Sequence, residues 1–263
     1  MDLAWAVRAF ELLLGWSLLL QTIEYLRLPA LDRVSNWQIQ RQELPKRPAW
    51  LTSLLDLLMR AGPYRGLLLL RLVLALALMA GLLRGPAGLT GALTLFLMAL
   101  VLLFRWRGAF NGGSDFMTLV GLSGLLLAQV LGALGDPQLG WRAGLWYVAL
   151  QSVSSYFVSG WVKLLKPEWR SGAALPAFLD TGVYGPLPAD SFYRRPWVAR
   201  SISWVFTVWE GCFPLALIDV RLAWLMCASA VVFHFLVFWY FGLNRFFWAW
   251  LATFPAILYC ALR

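Results

Sequence analysis

Charge is scarce in this sequence. Asp, Glu, Lys and Arg make up 13% of 263 residues, about half the share usual in a water-soluble domain. Histidine is scarcer still: His234 is the single one, and the three cysteines, Cys212, Cys227 and Cys260, lie in apolar stretches with no CxxC and no paired spacing. So few ligands, with no paired spacing, argue against a zinc site of the usual Cys/His kind, and one histidine argues against a bis-histidine haem within the chain; no metal is expected. The cysteines read as small packing residues rather than disulfide partners. P-loop, GxSxG, HExxH and GxGxxG are all absent, which removes the common nucleotide, hydrolase and metalloprotease signatures. Acidic residues number 13 against 22 basic ones, a formal charge of +9. The basic residues are dispersed between apolar segments instead of gathered on a solvated face. That pattern argues against nucleic acid as a partner and for charged loops beside a membrane.

Apolar residues are what the sequence has in plenty: 61% of the chain, with 16 tryptophans and a mean hydropathy of +0.70. A spanning helix needs about 20 mostly apolar residues. Eight segments qualify: 3–26, 66–83, 88–104, 116–134, 143–165, 198–218, 222–242 and 246–262. The third and last are short enough to be re-entrant or packed inside the bundle. The first carries Arg8, Glu11, Gln21 and Glu24; it spans if these face a bundle interior, and otherwise lies in the interface. The expected fold is therefore all-α, a polytopic integral membrane helix bundle of about eight membrane helices, one domain over 1–263 with no separate soluble domain. The stretch Trp50–Ala61, "WLTSLLDLLMRA", is predicted to be an amphipathic helix on the membrane surface. Residues 166–197, with five prolines, are predicted to form an ordered aromatic cap. The N-terminus, with Asp2, Arg8 and Glu11, does not read as a cleavable signal peptide.

Loop charge sets orientation. With eight spans, one side collects Arg27, Arg60, Arg65, Arg105, Lys163, Lys166, Arg170, Arg194, Arg195, Arg200 and Arg245, among others, and the other side only Arg84, Arg142, Arg221 and Arg263. The positive-inside rule makes the richer side cytoplasmic, in a plasma (inner) membrane. Nineteen arginines against three lysines point towards a GC-rich bacterial genome.

Chemistry concentrates in a few places. Ser152, Ser155, Ser159 and Lys163 are offset by 3, 7 and 11 residues, which places them on one helical face with Tyr156 beside them. Lys163 has two readings: a snorkelling lysine at a helix end, or a base at the edge of a buried cavity. Glu210, four residues before Pro214, lies near mid-membrane, where a carboxyl is costly. It is either a functional group or a protonated acid bonded to a neighbouring helix. His234 is also near mid-membrane and is more often structural; it gains weight only if Glu210 or Lys163 lies near it. Asn111, Gly112, Gly113 and Asp115, in "FNGGSD", suit a turn and helix cap, or a close approach to a headgroup or ligand. Gly121, Gly124 and Ala128 form a small-residue face for helix packing.

These residues resemble a family. "YFVSGWVKLLKPEWRSGAAL" is similar to the core of the horizontally transferred transmembrane (HTTM) domain, the membrane part of vitamin K-dependent gamma-carboxylase. Tyr156, Phe157, Gly160, Lys163, Leu164, Trp169 and Gly172 carry the match. "FNGGSD", "VWEGCFPL" and the histidine of "FHFLVFWYFGLNRFF" add weaker support. The resemblance runs from about the second segment onward. It implies that Lys163 is the base for a quinol hydroxyl, with Glu210 or His234 as proton partner and Trp169 near the site. It implies a lipid-soluble quinone or quinol as cofactor or substrate, in a carboxylase-like or peptide-maturation role. The carboxylase's following peptide-handling domain has no counterpart after Arg263, so complete glutamate carboxylation is not expected. The carboxylase works on the lumenal side, whereas loop charge places the Lys163 end in the cytoplasm. The expected partners are membrane lipids, with other membrane subunits or a peptide substrate beyond them. The alternative is a non-catalytic lipid-binding accessory subunit of a larger membrane complex. A transporter ranks last, because two related halves with paired broken helices are lacking.

Overall fold

Three helices begin on an aspartate. Asp2, Asp136 and Asp219 accept the backbone N–H groups of Trp5, Gln138 and Arg221, satisfying donors that a helix start leaves without partners. The computed structural model describes residues 2–28, 37–42, 48–106 and 112–262, and these residues are helical or irregular, with no strand among them. The helices are α1 (Leu3–Arg27), α2 (Trp37–Gln42), α3 (Ala49–Leu58), α4 (Ala61–Met79), α5 (Gly85–Arg105), α6 (Gly112–Leu134), α7 (Pro137–Leu165), α8 (Pro167–Ser171), α9 (Ala174–Leu179), α10 (Pro196–Gly211), α11 (Val220–Phe241), α12 (Asn244–Leu251) and α13 (Phe254–Cys260). Short 3-10 turns lie at Phe192–Arg194 and Phe213–Leu217.

Among the described residues, five helices are long and apolar enough to cross a membrane: α1, α4, α5, α6 from Gly113, and α11. The other three expected spans differ. α7 has 29 residues, ample length, but its serines, Gln151 and Lys163 dilute its apolar character. The segment 198–218 is not one helix. α10 stops at Gly211, and Pro214 sits in the first turn of the 3-10 piece, so the helix ends ahead of the proline. The segment 246–262 divides into α12 and α13 at Thr253, with Pro255 in the first turn of α13. Phe254, Pro255, Ala256, Ile257 and Cys260 are all buried, so α13 packs inside the bundle. The expected span 66–83 begins earlier, at Ala61, and stops at Met79 because Gly81 takes φ +72, a left-handed stop open to glycine. The amphipathic piece is α3, exposing Trp50, Leu54 and Leu57 while Leu55 is buried.

Packing follows small residues. α6 and α7, joined by a two-residue turn, share the most extensive helix–helix face. A Cβ on Gly144 would stand 2.5 Å from the Gly124 carbonyl oxygen and 2.8 Å from Ala128 Cβ, so the two backbones meet where no side chain fits. Gly121 faces Leu14 of α1 instead. The polar residues of α1 turn inward: Glu11 and Gln21 are buried. Arg8 and Arg84 both reach Glu11, through Arg8 Nη1 at 2.6 Å and Arg84 Nη2 at 2.8 Å. That hydrogen bond holds the Arg84 guanidinium above its usual pKa. Gly144→Val is expected to destabilise the protein by about 1–3 kcal/mol through overpacking. Gly135→Ala, with no atom within 4 Å of the added carbon, is expected to leave thermal unfolding in detergent unchanged.

Candidate functional site

Gly160 decides how closely α7 and α10 approach. A Cβ there would lie 2.5 Å from the Gly211 nitrogen and 2.9 Å from the Thr207 carbonyl oxygen. With that space empty, Glu210 of α10 comes within reach of the next turn of α7. Lys163 Nζ donates to Glu210 Oε2 at 2.5 Å and to Ser159 Oγ at 2.7 Å. The same ammonium stands 5.2 Å from the centre of the Trp169 ring, a cation–π distance. Both charges are largely withdrawn from the surface, with 18% and 6% of their side chains exposed.

The pair forms part of the wall of a cavity of about 440 Å³. Phe178, Leu179 and Leu187 of the cap, Phe206 of α10, and Phe233, Leu236, Val237 and Tyr240 of α11 supply most of the remaining lining. Lys163 and Glu210 are the charged residues in it. The cap over the cavity is fixed by short contacts. Asp180 accepts from the Leu187 N–H at 2.9 Å and from Arg194 at 2.7 Å. Tyr240 donates to the Leu179 carbonyl at 3.0 Å, and the Val183 N–H donates to the Tyr240 carbonyl at 3.1 Å. Gly172, at φ +89 and close against the Arg200 backbone, makes the turn that brings the cap back over α10.

Sequence reasoning placed Lys163, Glu210 and His234 in one group; the structure separates the last. Phe233, Leu236, Val237 and Tyr240 share the cavity face of α11, and His234 points about 100° away from Phe233. His234 Nε2 lies 2.5 Å from Tyr156 Oη. Its ring stacks on Trp250 with centroids 4.9 Å apart, and Tyr156 stacks on Phe213 at 3.8 Å. His234 and Tyr156 thus form a second, inner pair among aromatic rings.

The serine face also divides. Ser152 is buried and donates back to the Val148 carbonyl at 2.7 Å; Ser155 does the same to Gln151 at 2.8 Å. Ser155, Ser159, Lys163 and Trp169 line an open groove that shares Lys163 and Trp169 with the cavity. Asp115 belongs to another network: it accepts from Gln21 at 3.0 Å and lies 4.0 Å from Arg245. Arg71 joins this network through Thr22 at 2.9 Å and through Gln21. Gly112 opens α6, and Gly113 packs beneath the Phe246 ring, so a side chain already occupies the approach expected for a headgroup. Asn111 lies outside the described residues. The residues that sequence reasoning missed are Gly160 as spacer, and Phe206, Phe233 and Tyr240 as cavity wall. Compared with protein-family models, curated proteins and solved structures, the chain matches none.

Removing one partner of a buried ion pair leaves an uncompensated charge, at about 3–5 kcal/mol. Lys163→Met and Glu210→Leu are each expected to destabilise by about that much. The double variant Lys163→Met/Glu210→Leu should recover most of the loss. Denaturation of the four proteins in detergent measures it; additive losses would mean the two side chains are not paired.

Proposed function

We propose that the chain is a multi-pass membrane protein of the HTTM type whose apolar cavity takes a quinol, or a similarly headed lipid-soluble molecule, with its hydroxyl at Lys163 and Glu210. In this reading α7, the segment from α10 through its 3-10 turn, and α12 with α13 complete the bundle beside the five long apolar helices. Apolar side chains on the outside support the placement: Trp146, Leu150, Phe157 and Trp161 of α7, and Val205 and Val208 of α10, are exposed. In water such surfaces would form large apolar patches, whereas lipid accommodates them. The Lys163 end is the cytoplasmic one by loop charge, so the cap faces the cytoplasm.

The observation that carries the reading is one ion pair in the wall of an otherwise apolar, capped cavity. Ligand sites commonly combine an apolar lining with a few placed polar groups. A volume of about 440 Å³ suits a ring head and the start of a hydrocarbon tail. The pair exists as ammonium with carboxylate or as amine with carboxylic acid, the two differing by one proton passed over 2.5 Å. Either form accepts one proton from a substrate hydroxyl. The result is the same: ammonium at Lys163, carboxylic acid at Glu210, and an oxyanion against the ammonium. Low local dielectric strengthens that last contact, and the cap covers it on the cavity side. Lys163 thereby acts as base and counter-ion, and Glu210 as its proton partner. Tyr156 and His234 lie outside the cavity and support α7 from behind.

Quinol turnover in membranes containing the chain is expected to fall at least a hundredfold in Lys163→Ala and in Glu210→Gln. Unchanged turnover in Lys163→Ala would remove the lysine from the chemistry. Quinol binding without any turnover would favour the non-catalytic accessory subunit.

A further inference from the structure

Gln151 is the fifteenth of the 29 residues of α7, and so lies near the middle of the bilayer in the placement above. Its side-chain amide has no hydrogen-bond partner among the described residues. It lies in the open groove of about 690 Å³ that runs along α7 to Lys163 and Trp169. Lipid offers such an amide neither donor nor acceptor, and the bilayer core strongly disfavours leaving it bare. Gln151, Ser154, Ser155, Val158, Ser159 and Val162 line this groove. Their offsets of 0, 3, 4, 7, 8 and 11 residues form a continuous helical seam. Serines let a second backbone come close, and valines give the seam relief; membrane helices associate on such faces, with polar side chains as hydrogen-bonding partners.

We propose that this seam is where a second copy of the chain docks, α7 against α7, with the two Gln151 amides bonded to each other. An amide carries both donors and an acceptor, so it is complementary to itself. A two-fold axis along the membrane normal sets like residues opposite like in an isologous interface. Water is a poorer occupant at Gln151, because that residue lies near the middle of the bilayer in this placement. The second copy also closes the wall behind Lys163 and Trp169. The proposal rests on the membrane placement and not on the chemistry at Lys163, so loss of the turnover result would leave it standing.

Ser154→Cys and Val158→Cys proteins, oxidised in native membranes, are expected to cross-link to a species of twice the 29.7 kDa chain. Val205→Cys, 68% exposed on α10, is the lipid-facing control and should not. Adding Gln151→Leu to Val158→Cys should cut cross-linking several-fold, whereas Gln151→Asn, which keeps an amide, should largely preserve it. Cross-linking at 154 and 158 no greater than at 205 would overturn the proposal. So would a cross-linked product containing a different protein, or cross-linking indifferent to Gln151→Leu.

Discussion

A charge buried in an apolar bundle has to find its partner on another helix, and this constraint organises the whole molecule. Glu11, Arg71, Asp115 and Glu210 are each almost wholly buried. Glu11 draws in Arg84 from beyond the end of α4, and with Arg8 ties α1 to the turn before α5. At the opposite end Arg71, Gln21, Asp115 and Arg245 join α4, α1, α6 and α12. The third arrangement, Lys163 with Glu210, joins α7 to α10. The first lets its arginines reach the surface, with Arg8 37% and Arg84 46% exposed, and the second borders a space of only about 10 Å³; both hold helices in register. The third borders a cavity of useful size, and that difference separates a candidate reaction site from structural ion pairs.

Much of this was legible in the sequence, though unevenly. Lys163 and Glu210 stood out singly, since each is a charge in an apolar run. Their pairing was legible only as one of two alternatives, Glu210 or His234 as proton partner, because no periodicity relates two positions on different helices; it depends on Gly160 having no side chain. His234 stood out for the same reason as Glu210, yet one residue along a helix is a turn of 100°, enough to set it against Tyr156 instead of in the cavity. The interior direction of Glu11 and Gln21 was one of the two readings of the first segment, the one that the cost of a charge in lipid favours.

Segment boundaries failed where hydrophobicity was the main signal. A window over 198–218 or 246–262 is mostly apolar, so composition reads one span in each. The breaks fall beside Pro214 and Pro255, both placed in the first turn of the next helix, where proline is tolerated. The serine face misled differently. The spacing was right, but α7 has α6, α10 and α13 around it, and a stripe nearly a third of the circumference wide meets more than one environment. Ser152 therefore lies in the core, whereas Ser159 lies beside the ion pair.

The central claim is that the Lys163–Glu210 pair marks the polar end of a site for one lipid-soluble, hydroxyl-bearing molecule. Native mass spectrometry of the protein released from a bilayer containing quinones tests it most directly. The account requires one quinone-sized adduct per chain, lost when Val237→Trp fills the cavity and retained when Val205→Trp alters the exposed face of α10. No adduct, or one that persists in Val237→Trp, would contradict it.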